Sequence, residues 1–283
     1  MSILIEASRL YQLLEEPGRP VIVLDVRWTH DRPNGLDDYL AGHIPGAVYA
    51  DLDTDLADID PGDPQRGRHP LPDIGRLQET ARGWGISAGS TVVVYDDNRS
   101  QGAARAWWLL RYAGVADVRL LDGGLAAWLA GGYKLDSGPV AAAPGDVTLT
   151  AGSLPVLTRA DVLDFAREHL LLDARAAERY RGEQEPFDPK AGHVPGARNA
   201  PTLGNLGADD RFLTPEALRS RFEALGATEP TVGVYCGSGV TAAHLAIALT
   251  VAGYEPVLYP GSWSEWSNHD ELPVATGPEP GGR

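Results

Sequence analysis

The feature that most constrains the fold of this chain is a series of short motifs that occurs twice. The first copy carries, in order, VLDVR (23–27), AGHIPGA (41–47), VVVYD (92–96) and DGGLAAW (122–128). The second copy carries, in the same order, LLDAR (171–175), AGHVPGA (191–197), VGVYC (232–236) and PGSWSEW (260–266). A series repeated in this way indicates two copies of one structural unit. The sequence therefore predicts two domains of the same fold.

A stretch rich in proline, glycine, alanine and serine separates the two copies, DSGPVAAAPGDVTLTAGSLP at 136–155. Such a composition is typical of a linker between domains. We place the first domain at residues 1–138, the linker at 139–156 and the second domain at 157–283. Because 43% of the residues are hydrophobic, the chain can bury a sizeable core.

Short apolar runs alternate with helical patterns in both copies. The continuous runs expected of strands covered on both faces are PVIVLDV (20–26), TVVVYD (91–96), HLLLDA (169–174) and TVGVYC (231–236). The main helical stretches are 102–114, 213–227 and 240–253, and the second is expected to begin with Thr214 as its N-cap and Pro215 as its first residue. This alternation predicts an α/β fold in which each domain is a mostly parallel sheet flanked by helices on both faces.

The charge of the chain excludes several classes of partner. A net charge of −15 would repel nucleic acids and anionic membranes, although a local basic pocket can still hold a small anionic substrate. No run of about 18 apolar residues is present, so no membrane span is expected. The first residues, MSILIEASRLYQLLEE, lack the basic and apolar regions of a secretory signal. We expect a cytoplasmic protein; a monomer is compatible with the sequence, which does not fix the oligomeric state.

The chain has one cysteine, Cys236, which excludes an internal disulfide and zinc sites with two or more thiolates. No metal and no other cofactor is expected. Cys236 follows the predicted strand 231–235, at the end of the sheet where parallel strands bind ligands. The small residues 237–242 then lead into a helix, so backbone N–H groups and the helix dipole would stabilise a thiolate. This arrangement predicts a nucleophilic cysteine rather than a buried cysteine that only packs.

Two other interpretations of this loop are disfavoured. GSGVTA (237–242) matches a dinucleotide-binding pattern, but that fold needs an acidic residue at the end of the next strand, and VLY (257–259) leads into proline and glycine instead. A cysteine phosphatase needs an arginine six positions after the cysteine, where this chain has Ala242.

The chain resembles the two-domain rhodanese family of sulfurtransferases over nearly its whole length. The resemblance rests on the repeated GHIPGA and GHVPGA, on DGGLAAW and GSWSEW, and on CGSGVTA (236–242). The last motif is similar to the active loop of 3-mercaptopyruvate sulfurtransferases. Thiosulfate-preferring rhodaneses carry arginine and lysine after the cysteine, where this chain has Gly237 and Ser238. The resemblance implies that the thiolate takes sulfur from a donor as a persulfide and passes it to an acceptor.

The resemblance also implies roles for residues near the cysteine. His69 would move a proton to or from the pyruvate enolate, and Asp53 would fix the tautomer of His69. Ser238 would donate a hydrogen bond to the thiolate or to the substrate carbonyl. The loop residues expected to bind the substrate are Gly237, Gly239, Val240 and Thr241.

The substrate carboxylate is expected to bind Arg179, because the planar guanidinium group of arginine matches the geometry of a carboxylate. The second carboxylate-binding arginine of the family is absent from EQEPFDPKAGH (183–193), where Lys190 is the only cation. We therefore name Lys190 as the candidate for its place.

Several repeated residues are expected to be structural. The first copy has Asp96 and Asp97 in place of Cys236 and Gly237, so it is expected to be catalytically silent. The arginines and histidines that occur in both copies are expected to hold the fold, namely Arg27, Arg175, His43 and His193.

The sequence thus predicts an enzyme that moves sulfane sulfur, with 3-mercaptopyruvate as the donor and thiosulfate as the alternative. Gly237 and Ser238 supply no cation to a departing sulfite, so only backbone N–H groups would serve it, which favours mercaptopyruvate. The expected partners are a small anionic donor and an acceptor such as thioredoxin, another thiol or cyanide. The competing class is a module that senses sulfur species or docks partners without turnover.

Overall fold

Both copies of the repeat form parallel sheets in the computed structural model of the chain, which describes residues 2–16, 18 and 20–281. The first copy contains β1 (Leu4–Ile5), α1 (Ala7–Glu15), β2 (Val21–Asp25), α2 (Leu36–Ala41), β3 (Val48–Tyr49), α3 (Leu52–Asp55), α4 (Ile74–Gly83), β4 (Thr91–Tyr95), α5 (Gln101–Tyr112), β5 (Asp117–Leu121) and α6 (Gly124–Ala130). The second copy contains α7 (Val162–Glu168), β6 (Leu170–Asp173), α8 (Ala177–Tyr180), β7 (Arg198–Asn199), α9 (Pro215–Ala224), β8 (Thr231–Tyr235), α10 (Thr241–Val251), β9 (Glu255–Leu258) and α11 (Ser262–Trp266).

The two sheets have the same topology. The strand order is β1-β5-β4-β2-β3 in the first and β7-β6-β8-β9 in the second, and all the pairs are parallel. Val156 forms a parallel bridge with Leu258, at the edge of the second sheet that corresponds to the position of β1 in the first. The shared order confirms the predicted duplication and the predicted parallel sheets.

Helices cover both faces of each sheet, as predicted. In the first sheet, Val93 and Tyr95 of β4 pack with residues of α1 and α6. Successive side chains of a strand point to opposite faces, so Val92 and Val94 face the other side, and α5 packs against β4 and β5. Every residue of β4 is buried, which explains why this strand is a continuous apolar run in the sequence.

The predicted start of α9 is confirmed. Its first residue is Pro215, and the Thr214 Oγ1 accepts a hydrogen bond from the Ala217 N–H at 3.3 Å. Proline is favoured at this position because its missing N–H would have no partner inside the helix.

The repeated aspartate and arginine hold equivalent places in the two copies. Arg27 pairs with Asp25 at 2.9 Å, and Arg175 pairs with Asp173 at 2.6 Å. The repeated histidines contact backbone carbonyl groups through Nδ1, His43 at Tyr39 and His193 at Tyr180. These contacts agree with the structural roles expected for the four repeated side chains.

The chain forms two compact units, and each contains a segment from the other copy. The first unit comprises the described residues up to 58 together with 71–153 and 208–211, and the second comprises 59–70, 154–207 and 212–281. Residues 139–153, which the sequence suggested as linker, thus belong to the first unit. There the Val147 N–H donates to the Ile86 carbonyl at 3.2 Å. The domain limits drawn from the sequence stay a prediction.

None of the helices in the described part of the chain is long and apolar enough to span a membrane.

Candidate active site

The cysteine loop lies at the carboxyl end of β8, inside the second unit. Cys236 directly follows this strand, and its side chain is 1% exposed. The Cys236 N–H donates to the Ser262 Oγ at 3.1 Å, and its carbonyl accepts from the Trp263 N–H at 2.9 Å. The first turn of α11 therefore fixes the backbone on both sides of the sulfur.

The backbone of the loop turns toward the cysteine sulfur. The Gly239 N–H donates to the Cys236 Sγ at 3.1 Å, and Gly239 has a φ of +80°, in the region that favours glycine. Val240 is buried, and α10 begins at Thr241. A backbone donor aimed at the sulfur and the start of a helix of 11 residues both favour a negative charge at this position.

A buried histidine lies beside the loop. The His69 Nδ1 and the Ser238 Oγ are 2.7 Å apart, and the two side chains are only 7% and 4% exposed. At this distance the two groups form a hydrogen bond, and the tautomer of His69 decides which of them is the donor. The residues 59–70 that bring His69 here belong to the second unit, although they lie in the first copy of the sequence.

Two guanidinium groups adjoin Gly237. A Cβ atom placed on Gly237 would lie 3.1 Å from the Arg68 Nη2 and 3.2 Å from the Arg179 Nη1. Glycine therefore leaves room for both arginines next to the residue that follows the cysteine. The presence of Arg179 in this group agrees with its expected place near the loop.

Two buried carboxylates and one ring hold these arginines. The Arg179 Nη2 pairs with the Glu185 Oε1 at 2.7 Å and with the Asp188 Oδ2 at 3.2 Å, and Arg68 pairs with the other oxygen of Asp188. The guanidinium carbons of Arg68 and Arg179 lie 5.4 and 5.1 Å from the ring centre of Phe187. Burial raises the pKa of Asp188 above its ordinary value, although the nearby Arg68 guanidinium acts in the opposite direction.

Lys190 does not lie with the two arginines beside Gly237. Its Nζ donates to the His269 carbonyl at 2.8 Å and lies 3.3 Å from the Asp270 carboxylate. Asp53 belongs to the first unit, where its Oδ1 accepts a hydrogen bond from the Trp28 Nε1 at 3.0 Å. The role of Asp53 toward His69 stays a prediction.

Of the two arginines beside Gly237, Arg68 is the one that the sequence did not indicate. Its one signal was its place directly before His69. The expectation that only backbone N–H groups would serve a departing sulfite is wrong, because the guanidinium groups of Arg68 and Arg179 adjoin Gly237. The loop residues alone therefore do not decide between the two donors.

The corresponding loop of the first unit holds a carboxylate. Asp96 is fully buried, and its oxygens accept hydrogen bonds from the backbone N–H groups of Asn98, Ser100 and Ala103 at 2.8–2.9 Å. Burial raises the pKa of Asp96 to about 6, although the three N–H groups act in the opposite direction. The side chain that takes the place of Cys236 thus fills its own anion-binding loop.

No group of three or more histidine, cysteine or acidic side chains in the described part of the chain could hold a metal ion.

Comparisons with known proteins agree with this architecture. The family model of the rhodanese-like domain matches twice, over residues 6–131 and 159–269. A Mycobacterium tuberculosis relative that carries the name thiosulfate sulfurtransferase SseB is 46% identical over 281 residues, 97% of each chain. A Pseudomonas aeruginosa relative that carries the name 3-mercaptopyruvate sulfurtransferase is 47% identical over 282 residues, 97% of this chain and 98% of the other.

A solved structure shares the fold as well. The crystal structure of SseA from Escherichia coli, described as a 3-mercaptopyruvate sulfotransferase with the rhodanese fold, superimposes with a TM-score of 0.81 at 32% identity. The match covers 93% of this chain and 99% of SseA. With the repeated domain, the relatives and the fold in agreement, the chain belongs to the rhodanese family of sulfurtransferases.

Proposed function

We propose that this chain transfers a sulfur atom from 3-mercaptopyruvate to a thiol or another thiophilic acceptor, through a persulfide on Cys236. The observation that carries the proposal is the setting of the Cys236 sulfur. It accepts the Gly239 N–H at 3.1 Å, and it lies two residues before Ser238, which pairs with the buried His69. This setting combines a nucleophile, an anion-stabilising donor and a proton relay.

The first step is attack of the Cys236 thiolate on the sulfur of mercaptopyruvate. A bond forms between the two sulfur atoms while the bond between the donor sulfur and the methylene carbon breaks. The carbon keeps the electron pair and leaves as the pyruvate enolate. The Gly239 N–H fixes the attacking sulfur, which reduces the reorganisation needed during the reaction.

The enolate then needs one proton to become pyruvate. We propose that the Ser238 hydroxyl donates this proton and that His69 then reprotonates Ser238 across their 2.7 Å contact. A buried relay suits this step because solvent reaches neither side chain freely.

The carboxylate of the donor binds at the guanidinium groups beside Gly237. Arg179 offers a planar fork with two parallel N–H donors, which matches the two oxygens of a carboxylate. The backbone of residues 237–241 surrounds the reacting sulfur. In the second half-reaction the acceptor attacks the outer sulfur of the persulfide, and Cys236 leaves again as a thiolate.

Thiosulfate is the second candidate donor, and one observation favours it. The two guanidinium groups beside Gly237 could also stabilise the sulfite that leaves thiosulfate. The two relatives described above carry names with different donors at nearly equal identity. The His69–Ser238 pair favours mercaptopyruvate, because an enolate needs a proton and sulfite does not.

Steady-state turnover with each donor at low concentration tests the proposal, with cyanide or a thiol as the acceptor. We expect kcat/KM to be higher for mercaptopyruvate than for thiosulfate, and Cys236→Ser to be inactive with both. A higher value for thiosulfate would establish the second candidate. Failure of the wild-type chain to turn over either donor would favour a sulfur-sensing or docking module.

A further inference from the structure

We propose that Glu185 is a positioning residue that makes the donor site favour a monocarboxylate over a compact dianion. This role rests on the proposed function, because Glu185 acts through the Arg179 guanidinium and does not itself contact the donor. It belongs to a buried acid that lies outside every motif shared by the two copies.

This acid lies in a segment that is long only in the second copy. Three residues separate Tyr39 from His43, whereas twelve separate Tyr180 from His193. In both copies the histidine Nδ1 contacts the carbonyl of the tyrosine, so these four residues are equivalent. The three residues of the first copy, LAG, include no acid. The copy that carries the cysteine thus has an additional segment, residues 181–192, which contains the acid.

Glu185 fixes the orientation of the Arg179 guanidinium. The Glu185 side chain is 3% exposed, and its two oxygens accept from the Arg179 Nη2 at 2.7 Å and from the Arg179 Nε at 3.3 Å. Nη1 is the Arg179 nitrogen nearest to a Cβ atom placed on Gly237, at 3.2 Å. Glu185 therefore holds one edge of the guanidinium and leaves Nη1 directed at the cysteine loop.

A second guanidinium anchors Glu185. The Glu185 Oε2 pairs with the Arg175 Nη1 at 3.3 Å, and Arg175 is buried. The guanidinium carbon of Arg175 lies 4.6 Å from the ring centre of Trp263, whose backbone N–H donates to the Cys236 carbonyl. Glu185 thus connects Arg179 to residues that support the cysteine. This connection holds the donor-binding group in place before a ligand arrives, which lowers the entropic cost of binding.

Glu185 also balances the charge of the site. Ion pairs connect six charged side chains of alternating sign, in the order Asp173, Arg175, Glu185, Arg179, Asp188 and Arg68. With three charges of each sign, this series has no net charge. It offers directed N–H donors to one carboxylate, but it has no excess positive charge. The second charge of a dianion such as thiosulfate therefore has no counter-ion there, which makes its burial costly.

Protection of Cys236 from iodoacetamide tests this role without turnover. Pyruvate serves as the monocarboxylate and sulfate as the dianion, and the concentration of each that halves the alkylation rate measures its binding. We expect Glu185→Gln to raise this concentration about tenfold for pyruvate, the effect of losing one hydrogen bond to a charged group. The concentration for sulfate should fall, because the series of ion pairs then carries an excess positive charge.

Steady-state kinetics should show the same change of preference. In Glu185→Gln the KM for mercaptopyruvate should rise, with little change in kcat. The ratio of kcat/KM for thiosulfate to kcat/KM for mercaptopyruvate should rise about tenfold or more.

Glu183→Gln is the matched control, because it removes the same charge from a side chain of the same segment that is 56% exposed. We expect it to leave both protecting concentrations at their wild-type values. Glu185→Asp keeps the charge but shortens the side chain, so it should weaken protection by pyruvate without the gain for sulfate. This variant also serves if Glu185→Gln does not fold.

The outcomes separate this role from the proposed function. Equal losses of protection by pyruvate and sulfate in Glu185→Gln would show that Glu185 only supports the loop, and values equal to those of Glu183→Gln would exclude any role. Failure of pyruvate to protect the wild-type chain would also overturn the role. A chain that does not use mercaptopyruvate, yet shows the opposite shifts for pyruvate and sulfate, would overturn the donor and support the role of Glu185.

Discussion

The His69 Nδ1 lies 2.7 Å from the Ser238 Oγ, and both side chains are buried in the second unit. This contact joins residues that are 169 positions apart in the chain. In the proposed mechanism this contact acts as a proton relay for the leaving group, which forms next to Cys236, two residues before Ser238.

Ser238→Ala should lower kcat/KM for mercaptopyruvate about 100-fold or more, the usual size of a general acid–base contribution. Turnover of thiosulfate should change much less, because sulfite leaves without a proton. Steady-state kinetics with both donors measure the difference, and Ser220→Ala on the exposed face of α9 is the control. An equal loss with both donors would show that Ser238 supports the loop and does not supply the proton.

Gly237→Ala should raise the KM for mercaptopyruvate several-fold. The new methyl group would stand 3.1–3.2 Å from the guanidinium nitrogens of Arg68 and Arg179 and would displace them from the carboxylate. Alkylation of Cys236 by neutral iodoacetamide should stay unchanged. Gly83→Ala, in a position with open space, is the control. An unchanged KM would place the donor carboxylate elsewhere.

Asp96 should make the stability of the first unit depend on pH. Its folded pKa is about 6 and its ordinary value is 3.8, so between these values the folded state holds a proton that the unfolded state has lost. Stability should therefore fall as the pH rises from 3.8 to about 6, by on the order of 3 kcal/mol in total. Urea unfolding across this window checks the slope.

Asp96→Asn should remove this part of the slope, because the amide does not titrate. The comparison concerns the slope and not the absolute stability, which the substitution also changes. A variant with the same dependence on pH as the wild type would assign the slope to other carboxylates.

The sheets could be predicted from the sequence because their strands are buried on both faces. The apolar runs at 91–96 and 231–236 became β4 and β8 with nearly the same limits. Such strands show no polar alternation, and their turns contain small residues, so both the strand and the loop after it are visible in the sequence. The position of Cys236 at the end of β8 followed directly.

Arg68 could not be predicted in the same way. Its partners Asp188 and Ser264 lie 120 and 196 residues further along the chain. The local sequence does not indicate that the segment 59–70 joins the second unit, because its place there depends on tertiary contacts.

Transfer of one sulfur atom to Cys236 tests the central claim most directly. The purified chain is mixed with mercaptopyruvate without an acceptor, and the intact mass, the modified peptide and the pyruvate released are measured together. We predict that the wild-type chain gains the mass of one sulfur atom on Cys236, releases an equal amount of pyruvate and loses the sulfur again when a thiol is added. Release of pyruvate by Cys236→Ser, or by the wild type without sulfur on Cys236, would contradict it.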